Sequence, residues 1–446
     1  MRASPGQLLI ITTAALAALP AYPQNAPDGG DPYTDVRQVE TRLEQLEQRL
    51  GPYAADLAEP SAELGLMLLR NGAHADARKA FRRAMQVERV NEGLYTPRQL
   101  PFLDLAIESS VAAGDWERVD DDFQYFEWLN YRIHDEQDAA IIDVLDRVID
   151  WHLAAIHLDT EGQKGRHLLR LLDLGERRAA LSGQHYGSGH PRHVEHLYAL
   201  ALHFYYVSIA AQRPGPVAET LIEKLTSPID HRRSFYLAQE ALADDCYRKG
   251  RQLLERALES ARGTPAFTPE AEGAGLVYFA DWELMFNHRS RAERLYREAY
   301  GTLVSAGISV DRLQGYFGTP ALLPMPGFRL TLSPDEVSTS VPAGSAPTPE
   351  AIRFVPWARE VPGVQFPVAE IPGSPADGVE RYALARFHVE ENGWAQNIRI
   401  VELHPEDKTL SRHARNAFWY AQFRPRIEEG RVATTRDVEA RYLPLE

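Results

Sequence analysis

Histidine is the residue type in this chain whose spacing comes nearest to chemistry. In His185-Tyr-Gly-Ser-Gly-His190-Pro-Arg-His193-Val-Glu195-His196, His193 and His196 stand at i and i+3 of a helical pattern and His190 lies just before its start. His203 follows two turns later. Neutral imidazoles at that spacing could hold zinc or copper, so His190, His193 and His196 are the candidate metal ligands. The same cluster could serve as a pH-sensitive surface. Its spacing matches no known metal site closely, and histidines at a helix start are commonly solvated. The leading expectation is therefore no metal, no cofactor and no catalytic residue.

Other chemistry is sparse. The chain has no G-x-S-x-G, H-E-x-x-H, P-loop or G-x-G-x-x-G. Asp120-Asp-Asp122 reads as a solvated helix start beside the macrodipole. The aromatic group Phe123, Tyr125, Phe126, Trp128 and Tyr131, and the run Phe204-Tyr-Tyr206, read as core of a helical array. Cys246 is the single cysteine, inside a helical pattern, so no internal disulfide can form and the thiol reads as packed. The net charge of −15 repels phosphate backbones and argues against nucleic acid as a partner. From Asp377 onward 11 basic residues face 12 acidic ones, so about −14 of that charge precedes the C-terminal region.

The elements that would position these groups are helical. Val36, Val39, Leu43, Leu46 and Leu50 recur at helical steps until Gly51-Pro52. Then Leu64-Gly65-x2-Leu68 is followed by Ala77-x3-Phe81-x2-Ala84. This spacing resembles the tetratricopeptide repeat, whose small residues admit a neighbouring helix and whose large ones fill the space between. Val119-x3-Phe123-x2-Phe126 lies 42 residues later; Gly250-x3-Leu254-x2-Ala257 and Ala292-x3-Tyr296-x2-Ala299 are again 42 apart. The resemblance implies helical pairs over residues 36–318 that stack into an α-solenoid.

Before the array, Arg2 precedes an apolar run from Gln7 to Ala21, too short for a bilayer span. It reads as a signal peptide over 1–23, with a flexible segment over 24–35, no stable membrane span after processing, and a mature protein in the periplasm of a Gram-negative bacterium. An uncleaved inner-membrane anchor is the alternative. After the array, about a dozen of the 30 prolines fall in residues 319–376, which predicts a linker. Within it, Phe328 to Leu332 and Ile352 to Phe366 are apolar enough to dock on a neighbour.

From 377 to 446 the period changes to two. Ala385, Phe387 and Val389 alternate with polar residues, Asn392-Gly393 supplies a hairpin turn, and Ile398 and Ile400 return. Leu410, Ala414, Ala417, Phe418 and Ala421 share a helix face, and Val438, Ala440 and Tyr442 mark a last strand. A β-β-α-β unit with an antiparallel sheet is expected, making the fold class mainly α with a small C-terminal α+β domain. Phe387-x5-Gly393, Ile398-Arg-Ile-Val401, Leu410-x3-Ala414-x2-Ala417 and Phe423-Arg-Pro425 before Gly430 occur in the order of the TonB C-terminal domain family, which this region resembles.

The resemblance implies that an extended peptide from an outer-membrane or envelope protein adds to the edge of the last strand, with Thr435, Asp437, Glu439 and Arg441 as partner-binding positions. The same charges could instead guard a free edge. The family's Tyr-Pro opening is missing, since Pro375 and Tyr382 are not adjacent, and Gln7–Ala21 lacks the Ser-x3-His of TonB proper. The expected function is thus a non-enzymatic protein-binding scaffold or adaptor. A TonB-type transducer of outer-membrane transport and a metal-binding envelope protein stand as alternatives.

Overall fold

A computed structural model describes residues 32–158, 163–226, 234–265, 267–325, 327–330, 350–353 and 381–443. The expected signal peptide, most of the flexible segment after it and most of the proline-rich stretch lie outside them. Among the described residues the chain is mainly helical, with fourteen α-helices and a small C-terminal sheet region. No described helix is long and apolar enough to cross a membrane.

The chain divides into two compact units, one ending at Leu158 and one beginning at Asp159 that also holds the C-terminal sheet. The boundary falls inside the helical array because the sheet shares a core with the array's second half.

In the first unit, α1 (Pro32–Leu50), α2 (Ala58–Arg70), α3 (His74–Glu92), α4 (Leu100–Ala112), α5 (Trp116–Ile133) and α6 (Ala140–Leu158) pack consecutively. Phe81, Ala77 and Ala84 are fully buried. A Cβ on Gly65 would stand 2.5 Å from the Phe81 ring, so glycine is what lets α2 and α3 close on each other. The acidic triplet is not solvated. Asp122 is fully buried and accepts both Arg78 Nε and Nη2 at 3.1 Å, with Arg82 Nη2 at 2.6 Å. Asp120 is also buried and accepts Trp151 Nε1 at 2.9 Å. Arginine and indole donors from neighbouring helices replace water there, and buried carboxylates are tolerated on that condition.

The second unit runs through α7 (Lys164–Tyr186), α8 (Pro191–Ala211), α9 (Pro216–Leu225), α10 (Phe235–Arg262), α11 (Pro269–Met285), α12 (Arg289–Ser305) and α13 (Val310–Phe317). A Cβ on Gly250 would meet Trp282 at 2.2 Å, and Ala257, Ala292, Tyr296 and Ala299 are buried as their spacing predicts. Cys246 is buried, as read from the sequence, and burial pushes its thiol up to about 12.

Strands then take over: β1 (Ala321–Leu323), β2 (Glu350–Arg353), β3 (Tyr382–Val389), β4 (Ala395–His404), β5 (Gln422–Arg424), β6 (Arg426–Glu428), β7 (Arg431–Ala433) and β8 (Thr435–Leu443), with α14 (Lys408–Tyr420) between β4 and β5. The main sheet has the order β2-β8-β3-β4. β3 pairs antiparallel with both β4 and β8, whereas β2 pairs parallel with β8. The expected three strands therefore gain a fourth from the proline-rich stretch. Ala383, Ala385, Phe387 and Val389 face α14, where Leu410, Ala414, Ala417 and Phe418 complete the core.

Candidate partner-binding edge

The sheet is held against the helices of its own unit at several points. β5 pairs antiparallel with β1, placing Phe423 opposite Leu322. Arg424 Nε donates to Asp281 Oδ1 at 2.8 Å and Nη2 to Oδ2 at 2.5 Å, and the Tyr296 hydroxyl donates to the same carboxylate at 2.8 Å. Burial works against the Arg424 charge, but Asp281 more than restores it, so the guanidinium stays ionised. Burial raises the Tyr296 hydroxyl far above the ordinary phenol range, so it remains a donor. Gln422 Nε2 donates to the Leu284 carbonyl at 2.8 Å. The hairpin β6–β7 adds Ile427 to the helical core that holds Tyr316, Phe317 and Leu323.

Part of the predicted linker is likewise packed. Phe328 is buried against Tyr198 and Tyr278, with ring centroids at 5.3 and 4.6 Å. Tyr198 and Tyr278 donate their hydroxyls to the carbonyls of Met325 and Gly327. Phe328 thus docks as one of the two apolar stretches was expected to. Ile352 of the other stretch lies in β2, and 354–366 fall outside the described residues.

The hairpin joining β3 to β4 turns at Gly393, whose φ is +80°. A Cβ there would lie 2.3 Å from the Phe423 carbonyl oxygen, and Phe423 N donates to the Gly393 carbonyl at 2.8 Å. Glycine is required twice, by backbone sign and by the close approach of β5. The spacing of Asn392-Gly393 had predicted the turn; the second requirement depends on a strand 30 positions away.

The four positions assigned to partner binding lie along β8 and differ in their surroundings. Thr435 is half-buried opposite Val389, and its hydroxyl finds no partner among the described residues. Asp437 is exposed with φ +55°, at the shift in register between Phe387 and Val389, and its amide donates to His388 Nδ1 at 3.2 Å. Glu439 accepts Arg386 Nε at 2.8 Å. Arg441 lies over the Tyr382 ring at 4.7 Å, a cation–π contact. Glu439 and Arg441 are thus engaged within the sheet, while Thr435 and Asp437 are the less committed pair.

On the other side of β8, β2 pairs Glu350 with Ala440, Ala351 with Arg441, Ile352 with Tyr442 and Arg353 with Leu443. Among the described residues nothing pairs with that side between Thr435 and Glu439. Among the described residues the edge is therefore covered over Ala440–Leu443 and unpaired over Thr435–Glu439, a pattern that alternation in β8 could not signal.

The histidines do not converge. His190 caps α8, its Nδ1 accepting Arg192 N at 3.2 Å, and its ring stacks on Tyr186. His193 is buried, with Nδ1 2.9 Å from Ser182 Oγ. Burial, then the charge of Arg256, lowers its imidazole. His196 is buried elsewhere on the helix, and the three do not bring their ring nitrogens into one ligand group. His203, also buried, holds its Nδ1 3.1 Å from the Leu171 carbonyl. A carbonyl only accepts, so that nitrogen carries the proton.

No protein-family model matches the chain, and no curated protein matches it.

Proposed function

We propose that this chain is a periplasmic protein-binding scaffold whose C-terminal sheet takes an extended peptide of an envelope protein onto the edge of β8. One observation carries the reading: a segment remote in sequence, Glu350–Arg353, already adds to that edge as a strand. The backbone groups of β8 are therefore presented in a geometry that accepts an incoming chain. Backbone hydrogen bonds would supply affinity over Thr435–Glu439, and the exposed Asp437 would select among guests. The order of strand, glycine turn, small-residue helix and Phe423-Arg-Pro425 supports a TonB-like ancestry for the sheet. The buried Ala-x3-Phe-x2-Ala positions support a tetratricopeptide-like solenoid for the helices. On this reading the protein does no catalysis and couples to no proton motor.

A photo-crosslinking amino acid placed at Arg436, in intact cells, tests it. The expected product joins Arg436 to another envelope protein, and Val438→Pro on β8 abolishes it. Products confined to the chain's own residues would overturn the proposal.

A further inference from the structure

The aromatic group in α5 divides between two environments. Phe123 and Phe126 are core, and Phe123 stacks on Trp151 at 5.4 Å. Trp128 instead is 41% exposed, Tyr95 46% and Leu94 56%. Trp128 joins Tyr125 in a stacked pair at 5.6 Å and Tyr95 in an edge-on pair at 5.7 Å. The Tyr125 hydroxyl donates to Gln99 Oε1 at 2.9 Å, which fixes the ring at the rim of the group. Three rings in mutual contact, two of them exposed and Tyr125 half-buried, form one contiguous aromatic surface. A monomer rarely leaves aromatic area of this kind exposed without use.

The rim has a definite charge. The Arg132 guanidinium lies 5.8 Å from the Trp128 ring centre. Arg89 and Arg82 both act on the Tyr125 hydroxyl, opposing the rise that burial imposes. Arg82 is held by Asp122. Arg89 has no ion pair among the described residues, and its Nε is buried without a hydrogen-bond partner. Of the other cations of α3, Arg78, Lys79 and Arg83 are likewise paired with the chain's own carboxylates, which leaves Arg89 to face a ligand.

We infer that Tyr95, Tyr125 and Trp128, with Arg89 and Arg132, form a second docking surface, for an acidic extended peptide of a partner protein. Its prolines or aromatics lie on the exposed rings, as extended proline-rich ligands lie in aromatic grooves. Its carboxylates pair with Arg89 and Arg132, whose planar donors suit them. Charge complementarity selects this occupant: the arginine rim disfavours a basic peptide, and a two-fold pairing of this face with a second copy would set arginine rim against arginine rim. The surface belongs to the first unit and is independent of the β8 edge.

Panning a random peptide library against the full chain, with parallel panning against Trp128→Ala and Arg132→Glu, tests this. Both positions are exposed, and thermal unfolding of each variant is checked against the wild type. Enriched peptides should carry Asp or Glu beside Pro or an aromatic. A synthetic peptide of the enriched sequence should bind each variant about tenfold more weakly. Enrichment that both variants retain, peptides of basic or neutral character, or no enrichment would each overturn the inference. So would a Trp128-dependent dimer in sedimentation, which would assign the surface to a second copy.

Discussion

Arg424 and Asp281, 143 positions apart, meet in a buried two-point ion pair that joins the C-terminal sheet to the helices beneath it. Removing one partner leaves the other charged in a buried site. Arg424→Ala or Asp281→Ala should each cost about 3–5 kcal/mol. The double variant should cost clearly less than the sum of the two, because it strands no charge. Urea unfolding of the four proteins in the cycle measures both numbers.

Gly393→Ala should destabilise the sheet by about 1–3 kcal/mol, since it combines a positive φ with a blocked approach to the Phe423 carbonyl. Gly51→Ala makes the control. Its φ is +92°, but nothing lies within 4 Å of the added carbon, so it should cost less. Comparing the two unfolding midpoints separates backbone sign from steric exclusion.

The pH dependence should carry a signature of His203. Burial, reinforced by the charge of Arg178 and opposed by the Leu171 hydrogen bond, holds its imidazole down at about 3. The unfolded chain binds that proton below about 6.5 and the folded one does not. Stability from this group is therefore complete above about 6.5 and declines by about 1.4 kcal/mol per pH unit as pH falls toward 3. His203→Gln keeps a donor for Leu171 and should flatten that decline. Unfolding at pH 7.5 and 5.0 should differ between the two proteins by about 2 kcal/mol.

Cys246 should resist a thiol reagent such as DTNB at pH 8, because its raised thiol is buried and almost wholly protonated. Full reaction should appear only in denaturant. Absorbance of the released thiolate follows both.

Ile352→Pro should loosen β2 from β8. Hydrogen exchange should quicken at the amides of Ala440–Leu443 that point away from β3, while amides bonded to β3 keep their protection. If the edge serves partners, crosslinking from Arg436 should rise in the same variant.

Local patterns made the hairpin at Gly393, the buried face of α14 and the helices carrying Ala77, Phe81 and Ala84 or Ala292, Tyr296 and Ala299 legible, because each is specified by residues within one or two turns. β1 and β2 were not legible. They are three and four residues long, lie among prolines, and are strands only because β5 and β8 pair with them. Asp122 was misread for a related reason: a run of three acids suggests water, and only the fold brings Arg78 and Arg82 to it. The same holds for the candidate edge. Its strand was readable, but its partial cover by Glu350–Arg353 depends on a pairing between positions 90 apart.

The β5 strand, finally, sets an order of events in biosynthesis. The helices α11 to α13 are complete by Phe317, yet the ion pair on Asp281 and the side-chain hydrogen bond to the Leu284 carbonyl form only once Arg424 and Gln422 have been made. On a ribosome, more than 100 further residues must emerge before that core can close. Through that interval the second unit exposes a charged, apolar-lined face. A chain shortened near its end would keep that face permanently and become a client for chaperones and proteases.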